Sequence, residues 1–219
     1  MSDFKKAYQL VKFGISIKKQ FGFAIFFALI GIVVEIATKG TQIVGSFYII
    51  LSGMFIFQTI ISSDVSTLVQ SSPHKRRIQV LYPLMATLPW VYLTLTIVSF
   101  VHAYFASHSA DGYATQCNMM LILGVLMFIL FVYFGVAYKF FMASMVMMLA
   151  TVYTTTYLML GMEKLFPELM TNFGLCVLIA YGLTTLGAVL CYVLMNVLYK
   201  KPLSKWAFRG MLGEGKGVK

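Results

Sequence analysis

The chain has 219 residues, of which 60% are hydrophobic and 11% are charged, and its formal net charge is +10. Soluble domains are about 45–50% apolar and about 25% charged, so this composition excludes an ordinary soluble enzyme and predicts an integral membrane protein. The length leaves room for one helical bundle and for no separate catalytic domain.

Apolar residues occur in runs of the length that crosses a bilayer, which is about 20 residues for an α-helix. None of these runs alternates polar and apolar residues, as membrane-spanning strands would. We therefore predict an all-α, polytopic membrane protein with six transmembrane helices in residues 21–199. The predicted spans are residues 21–38, 41–61, 80–105, 119–137, 141–161 and 173–199.

Two of the predicted connections are very short. Lys39 and Gly40 separate the first two spans, which must then form a tight hairpin. Residues 119–162 are too long for one crossing, and Lys139 is their only charged residue before the outer loop. We therefore predict a sharp turn at Lys139.

The distribution of basic residues predicts the orientation of the spans. With the amino terminus inside, 15 of the 17 lysines and arginines fall on the cytoplasmic side, and only Lys39 and Lys164 fall outside. Basic residues near helix ends are retained in the cytoplasm, so both termini and the loop of residues 62–79 are expected there. The bases are too dispersed to build a continuous groove, and we expect no nucleic-acid partner.

The first 20 residues are basic and weakly amphipathic. On a helix, Lys5, Lys12 and Lys19 lie on one side, while Tyr8 and Val11 lie on the other. This pattern predicts an interfacial helix over residues 1–20 that lies on membrane lipids. A disordered basic tail is the alternative.

One acidic residue, Glu35, lies inside a predicted span. An ionisable group in a bilayer is costly and by default indicates a function. Glu35 also lies one turn before Lys39, so the sequence favours a local ion pair at the outer end of the helix. A place on a substrate path is the alternative for Glu35.

The fifth span is rich in hydroxyl groups. These side chains either line a path for an amphipathic substrate or form hydrogen bonds with neighbouring helices, and the sequence leaves both interpretations open. The candidate path residues are Thr151, Thr154, Thr155 and Tyr157.

No spacing in the chain indicates catalysis or a bound metal. His102 and His108 do not share a helix face, and the three cysteines form no Cys-x-x-Cys pair. The sequence has no Gly-x-Ser-x-Gly elbow, no His-Glu-x-x-His pair and no phosphate-binding loop. We expect no catalytic residue, no metal site and no cofactor in this chain.

The loop of residues 62–79 is the most informative segment. It contains a short helix candidate with Val65, Leu68 and Val69 on one face, then a proline and a basic cluster. With the basic amino terminus and the six spans, this segment resembles the permease subunit of ABC-2 type transporters. The residues that carry the resemblance to a coupling helix are Asp64, Val65, Leu68, Val69, Pro73, His74, Lys75, Arg76 and Arg77.

The resemblance implies a membrane permease that is not itself an enzyme. A separate ABC ATPase subunit would bind ATP and Mg and dock on the cytoplasmic coupling helix. The permease would form a homodimer or pair with a related permease in the plasma membrane of a bacterial-type cell, and residues 200–219 would form a basic cytoplasmic tail. The substrate of such an exporter would be a peptide, a lipid or a drug-like amphipathic molecule. For Lys75, Arg76 and Arg77, the alternative is that they only anchor the topology.

Two other functions fit the same pattern of spans. One is a six-span, substrate-binding membrane component of a vitamin or metal uptake system. The other is a membrane scaffold or immunity protein that transports nothing.

Overall fold

The computed structural model describes residues 17–64, 73–108, 112–137, 139–159 and 167–200, and all regular structure in these ranges is helical. The predicted all-α class is therefore confirmed. In chain order the elements are α1 (Ile17–Ala37), α2 (Val44–Asp64), a π-helical turn (Arg77–Leu81) that continues into α3 (Tyr82–His108), α4 (Tyr113–Ala137), α5 (Phe141–Met159), a 3-10 turn (Pro167–Thr171) and α6 (Phe173–Leu198).

Four helical segments in the described ranges have the length and apolar composition to cross a bilayer. They are Lys19–Ala37, Arg77–His108, Tyr113–Ala137 and Phe173–Leu198. A shorter apolar stretch, Val44–Gln58, lies within α2. The chain is thus a helical protein with several candidate membrane-spanning helices, and the count of six spans stays a prediction.

Helix α4 lies at the centre of the bundle. It packs along α6 and also contacts α5, α3 and α2. A close approach to α6 occurs at Gly124, where an added Cβ atom would lie 2.6 Å from the Cα atom of Ala180. A side chain at this position would keep the two helices apart.

Helices α1 and α2 form the predicted hairpin. Small residues on α1 make the contact, since Ala24, Ala28 and Gly31 are all buried. Lys39 and Gly40 form the turn with left-handed φ angles of 53° and 64°. Glycine adopts this conformation at little cost, which explains the position of the turn.

The turn at Lys139 is also confirmed, because α4 ends at Ala137 and α5 begins at Phe141. The start of α4 differs from the prediction: the helix begins at Tyr113, six residues before the predicted start at residue 119. Polar residues there indicated a loop. Gln116 and Asn118 are instead buried inside the bundle, and Gln116 is hydrogen-bonded to His102 and to the carbonyl oxygen of Lys39.

Helix α1 begins at Ile17, so the last residues of the predicted interfacial segment continue directly into the first apolar helix. Residues 1–16 of that segment lie outside the described residues, as do residues 65–72 of the coupling loop and residues 201–219 of the basic tail.

Candidate functional site

A cleft of about 520 Å³ separates α4 from α5 and is the main candidate for a substrate site. Its α4 wall is formed by Phe128, Val132, Tyr133 and Val136, and its α5 wall by Ala143, Ser144, Met147, Met148 and Thr151. The walls are largely apolar, with hydroxyl groups at a few points. This combination suits an amphipathic molecule, since apolar area supplies affinity and a few polar groups fix orientation.

The hydroxyl groups of the cleft are held in place locally. Ser144 and Thr151 donate hydrogen bonds of 2.8 Å to the carbonyl oxygens of Phe140 and Met147, four residues earlier in the chain. Each hydroxyl oxygen can still accept a hydrogen bond from a ligand. Tyr133, which also lines the cleft, is largely buried, and Gln58 of α2 lies close to its hydroxyl group.

Of the four candidate path residues on α5, only Thr151 lines this cleft. Tyr157 is 72% exposed on the outer surface, Thr154 is exposed, and Thr155 is half-buried. A run of adjacent residues spreads around a helix by about 100° per residue, so the run cannot line one path. The polar run therefore does not mark one face of α5, and a substrate path along this helix stays a prediction.

A buried polar cluster lies at the end of the bundle where α1 and α3 end and α2 and α4 begin, which we term the Glu35 end. Its members are Glu35, Ser46, His102 and Gln116, each at most 3% exposed. Glu35 Oε1 accepts a hydrogen bond of 2.8 Å from the Ser46 hydroxyl. Glu35 Oε2 lies 3.6 Å from His102 Nε2. Gln116 Nε2 donates to the carbonyl oxygen of Lys39 at 2.8 Å.

The expected ion pair between Glu35 and Lys39 is therefore wrong. The carboxyl group points into the bundle toward Ser46 and His102, while the Lys39 side chain is exposed in the turn. The left-handed conformation of Lys39 and Gly40 reverses the chain directly after α1, and the helical i, i+4 geometry required for the pair does not continue. His102 is 67 residues from Glu35 in the chain, and no local pattern indicated this contact.

Basic residues collect at the opposite end of the bundle, where α4 ends and α3 begins, which we term the Lys139 end. Pro73 and His74 form a turn that leads through Lys75 and Arg76 into the π-helical turn. Arg76 Nε donates a hydrogen bond of 3.0 Å to Asn196 Oδ1 on α6. Arg77 is exposed, and both arginines border a pocket of about 260 Å³ with Tyr192 and Asn196.

Lys139 is buried in the turn between α4 and α5, at 1% exposure. Burial, together with the nearby charge of Lys75, lowers the pKa of the Lys139 amine to about 8. The sequence predicted the turn but not that its lysine would be buried.

The remaining members of the predicted coupling segment are described only in part. Asp64 is the last residue of α2. Val65, Leu68 and Val69 lie outside the described residues, so their place on one helix face stays a prediction.

Within the described part of the chain, no group of three or more His, Cys, Asp or Glu side chains is close enough to hold a metal ion. His102 belongs to the buried polar cluster, whereas His108 is exposed at the end of α3 and contacts the Tyr104 carbonyl oxygen. Cys117, Cys176 and Cys191 are buried, and none of the three forms a disulfide within the described residues.

Comparison with protein-family models, with curated proteins and with solved structures found no match.

Proposed function

We propose that this chain is the membrane permease subunit of an ATP-driven transporter of the ABC-2 type, and that it exports an amphipathic peptide, lipid or drug-like molecule. The observation that carries the proposal is the cleft between α4 and α5. Its volume of about 520 Å³ lies in the range of about 300–1,000 Å³ that is typical of small-molecule sites.

The position of the cleft supports a substrate that enters from the bilayer. Helix α5 packs mainly against α4, so the cleft between them lies at the edge of the bundle. An amphipathic molecule dissolved in the membrane would insert its apolar part between Val132 and Met148 and place a polar group near Thr151. Water would be largely excluded from such a site, which strengthens each hydrogen bond formed there.

The energy for export would come from a separate ATPase, because the sequence contains no phosphate-binding loop. The Lys139 end would face the cytoplasm, together with both termini, in agreement with the positive-inside distribution. The predicted coupling segment leads directly into the π-helical turn and α3. Arg76 links the start of this element to α6 through Asn196, so a displacement of the docked ATPase would move α3 and α6 together.

This arrangement gives different roles to two of the basic residues in the coupling segment. Both arginines are exposed, but Arg76 donates a hydrogen bond to Asn196 on α6, whereas Arg77 is available to an acidic surface of the ATPase. We expect two copies of the chain, or this chain and a related permease, to assemble with ATPase subunits. The outward face of α5, with Tyr153 and Tyr157 exposed, would lie in lipid or against the second permease.

The cleft can be blocked without changing the core of the bundle. Ala143 lines the cleft and is exposed, so Ala143→Trp would fill space in the cleft. Ala150 is exposed on the same helix and does not line the cleft, which makes Ala150→Trp the matched control. The assay is ATP turnover of the permease co-expressed with its ATPase in lipid vesicles, with an amphipathic dye, a hydrophobic peptide and a fluorescent phospholipid as probes.

We expect at least one probe to stimulate turnover of the wild-type complex, Ala143→Trp to abolish that stimulation and Ala150→Trp to retain it. Both variants should still co-purify with the ATPase. Full stimulation of Ala143→Trp would show that the cleft is not the substrate site. A small ligand that stays bound to the chain alone through purification would instead favour the uptake component.

The coupling role is tested separately by Leu68→Asp combined with Val69→Asp, which leaves every basic residue in place. Removal of two apolar anchors from an interface would weaken binding by a few kcal/mol, or roughly a hundredfold. The double variant should insert in the membrane and no longer co-purify with the ATPase. Unchanged co-purification and unchanged ATP turnover would show that this loop does not couple the permease to the ATPase.

A further inference from the structure

The buried polar cluster at the Glu35 end has a hydrogen-bond pattern that determines where protons can be. The backbone carbonyl oxygen of Lys39 can only accept a hydrogen bond, so the group of Gln116 that faces it must be the amide nitrogen. The amide oxygen of Gln116 then faces His102 Nδ1. Since this oxygen also can only accept, Nδ1 carries a hydrogen atom, and the proton state of the ring depends on Nε2 alone.

The carboxyl group of Glu35 is held from its other side. Its Oε1 atom accepts hydrogen bonds from the hydroxyl group and the backbone N–H of Ser46 at the start of α2. The second oxygen, Oε2, therefore faces the unassigned nitrogen of His102 at 3.6 Å. Glu35 Oε2 and His102 Nε2 are both buried, and within the described residues neither has a hydrogen-bond partner.

We infer that Glu35 and His102 form a proton-binding site, in which the folded protein holds one proton between Glu35 Oε2 and His102 Nε2. With no proton, a carboxylate would face the lone pair of Nε2 and leave a buried negative charge. With two protons, an imidazolium would be buried without a counter-charge. With one proton the pair has no net charge, and both side chains are 0% exposed.

Among the described residues, none around the pair supplies another compensating charge. Helix α2 contributes the uncharged Ser46. Among the other described residues with titratable or charged side chains near this end, Lys39 and His108 are exposed. Tyr113 accepts a hydrogen bond from the backbone N–H of Phe173, and the Cys117 thiol is paired with Cys176 on α6. The proton is thus the ligand that balances the charge of Glu35.

Glycine backbone packs closely against the other sides of both side chains. A Cβ atom added at Gly45 would lie 2.6 Å from Glu35 Cγ, and one added at Gly40 would lie 2.8 Å from His102 Nδ1. A side chain at either position would displace a member of the pair. The site links α1 to α3 through the proton, and it links α3 to α4 through Gln116.

Because of this site, we expect the stability of the folded protein to decrease as the pH rises above about 6.5. In the unfolded chain, glutamate and histidine have ordinary pKa values of about 4.3 and about 6.5, so above about pH 6.5 the pair holds less than one proton. The folded protein holds one. Stability from this site is therefore complete below about pH 6.5 and is lost as the pH rises toward 8 and beyond. Below about pH 4.3 the unfolded chain takes up a second proton, and the contribution declines again.

Glu35→Gln is the decisive variant, because glutamine has the shape of a protonated glutamate and needs no proton. Its Oε1 atom accepts from Ser46, and its amide nitrogen donates to Nε2 of neutral His102. For the wild type, the unfolding equilibrium constant should fall by up to tenfold per pH unit between pH 8 and pH 6.5. For Glu35→Gln this part of the slope should be absent.

The measurement is unfolding of the detergent-solubilised full chain by sodium dodecyl sulfate at a series of pH values. Glu168→Gln and His108→Gln remove an exposed acid and an exposed histidine, so both should keep the wild-type slope. His102→Gln removes the proton acceptor, and it should be less stable than Glu35→Gln at pH 8. If His102→Gln does not fold, the pH slopes of the wild type and Glu35→Gln still test the inference. Equal slopes for those two proteins would overturn the inference.

Discussion

Helices α4 and α5 follow each other in the chain, both are apolar, and a turn at Lys139 joins them, but they occupy different environments. Of the most apolar stretch of α4, 78% is buried inside the bundle, compared with 22–33% for the other three candidate spans. On α5, Val146, Met147 and Tyr153 are each more than 60% exposed. Both helices were predicted as spans, and that prediction did not say which of them is central in the bundle and which is peripheral.

The difference arises from small residues and from polar partners. Gly124 allows the α6 backbone to approach α4, and Gln116 finds partners on α3 and in the α1–α2 turn. On α5, Thr151 and Thr154 make their hydrogen bonds within the helix. In lipid, close packing and interhelical hydrogen bonds hold helices together, and α4 has both kinds of contact.

Among the substitutions considered, the largest loss of stability is expected when a side chain is added at the close contact of Gly124 with α6. In Gly124→Ala, the new methyl group would lie 2.6 Å from Ala180 Cα and 2.9 Å from Ala180 Cβ, so α4 and α6 must separate. Overpacking of this kind costs about 1–3 kcal/mol. Unfolding in mixed micelles should show a loss of stability in this range.

The control for this prediction is Gly182→Ala on α6, where an added Cβ atom meets nothing within 4 Å. Alanine is better than glycine in a helix by up to about 1 kcal/mol, so this variant should be as stable as the wild type or more stable. Equal stability of the two alanine variants would contradict the central role assigned to the α4–α6 contact.

A pH-dependent effect on stability is expected at Lys139, in the turn between α4 and α5. The pKa of the Lys139 amine is about 8 in the folded protein, against an ordinary value of 10.5. Between these values the unfolded chain holds a proton that the folded protein lacks. Stability should therefore rise as the pH increases from about 8 to about 10.5, by at most tenfold in the unfolding equilibrium constant per pH unit.

Lys139→Met should remove this alkaline rise, and Lys200→Met, which alters an exposed lysine at the same end, should leave it unchanged. Lys75→Met should move the rise to higher pH, because the charge of Lys75 contributes to the low pKa of Lys139. If Lys139→Met shows the same rise as the wild type, the amine is not held in the environment described here.

The sequence predicted those parts of the fold that depend on local signals. Long apolar runs placed the helices, Lys39 and Gly40 placed the hairpin turn, and Lys139 placed the second turn. The start of α4 was wrong, because burial of Gln116 depends on partners from other parts of the chain. The same reason explains why Glu35 was assigned to nearby Lys39 rather than to His102: a hydropathy pattern contains no information about contacts between distant residues.

The smallest effect on stability is expected on α5 itself, where Thr151 and Thr154 differ in position but not in local bonding. Both hydroxyl groups donate to carbonyl oxygens four residues earlier, and both side chains are exposed. Thr151→Val and Thr154→Val should each change the free energy of unfolding by less than about 0.5 kcal/mol, as is usual for surface positions.

The two threonines should differ in their effect on transport, because of the two only Thr151 lines the cleft. If the cleft binds substrate, Thr151→Val loses a hydrogen bond of about 1 kcal/mol and should raise the probe concentration for half-maximal stimulation of ATP turnover about fivefold. Thr154→Val should leave that concentration unchanged, and an equal shift in both variants would place the substrate on the outer face of α5 instead of between α4 and α5.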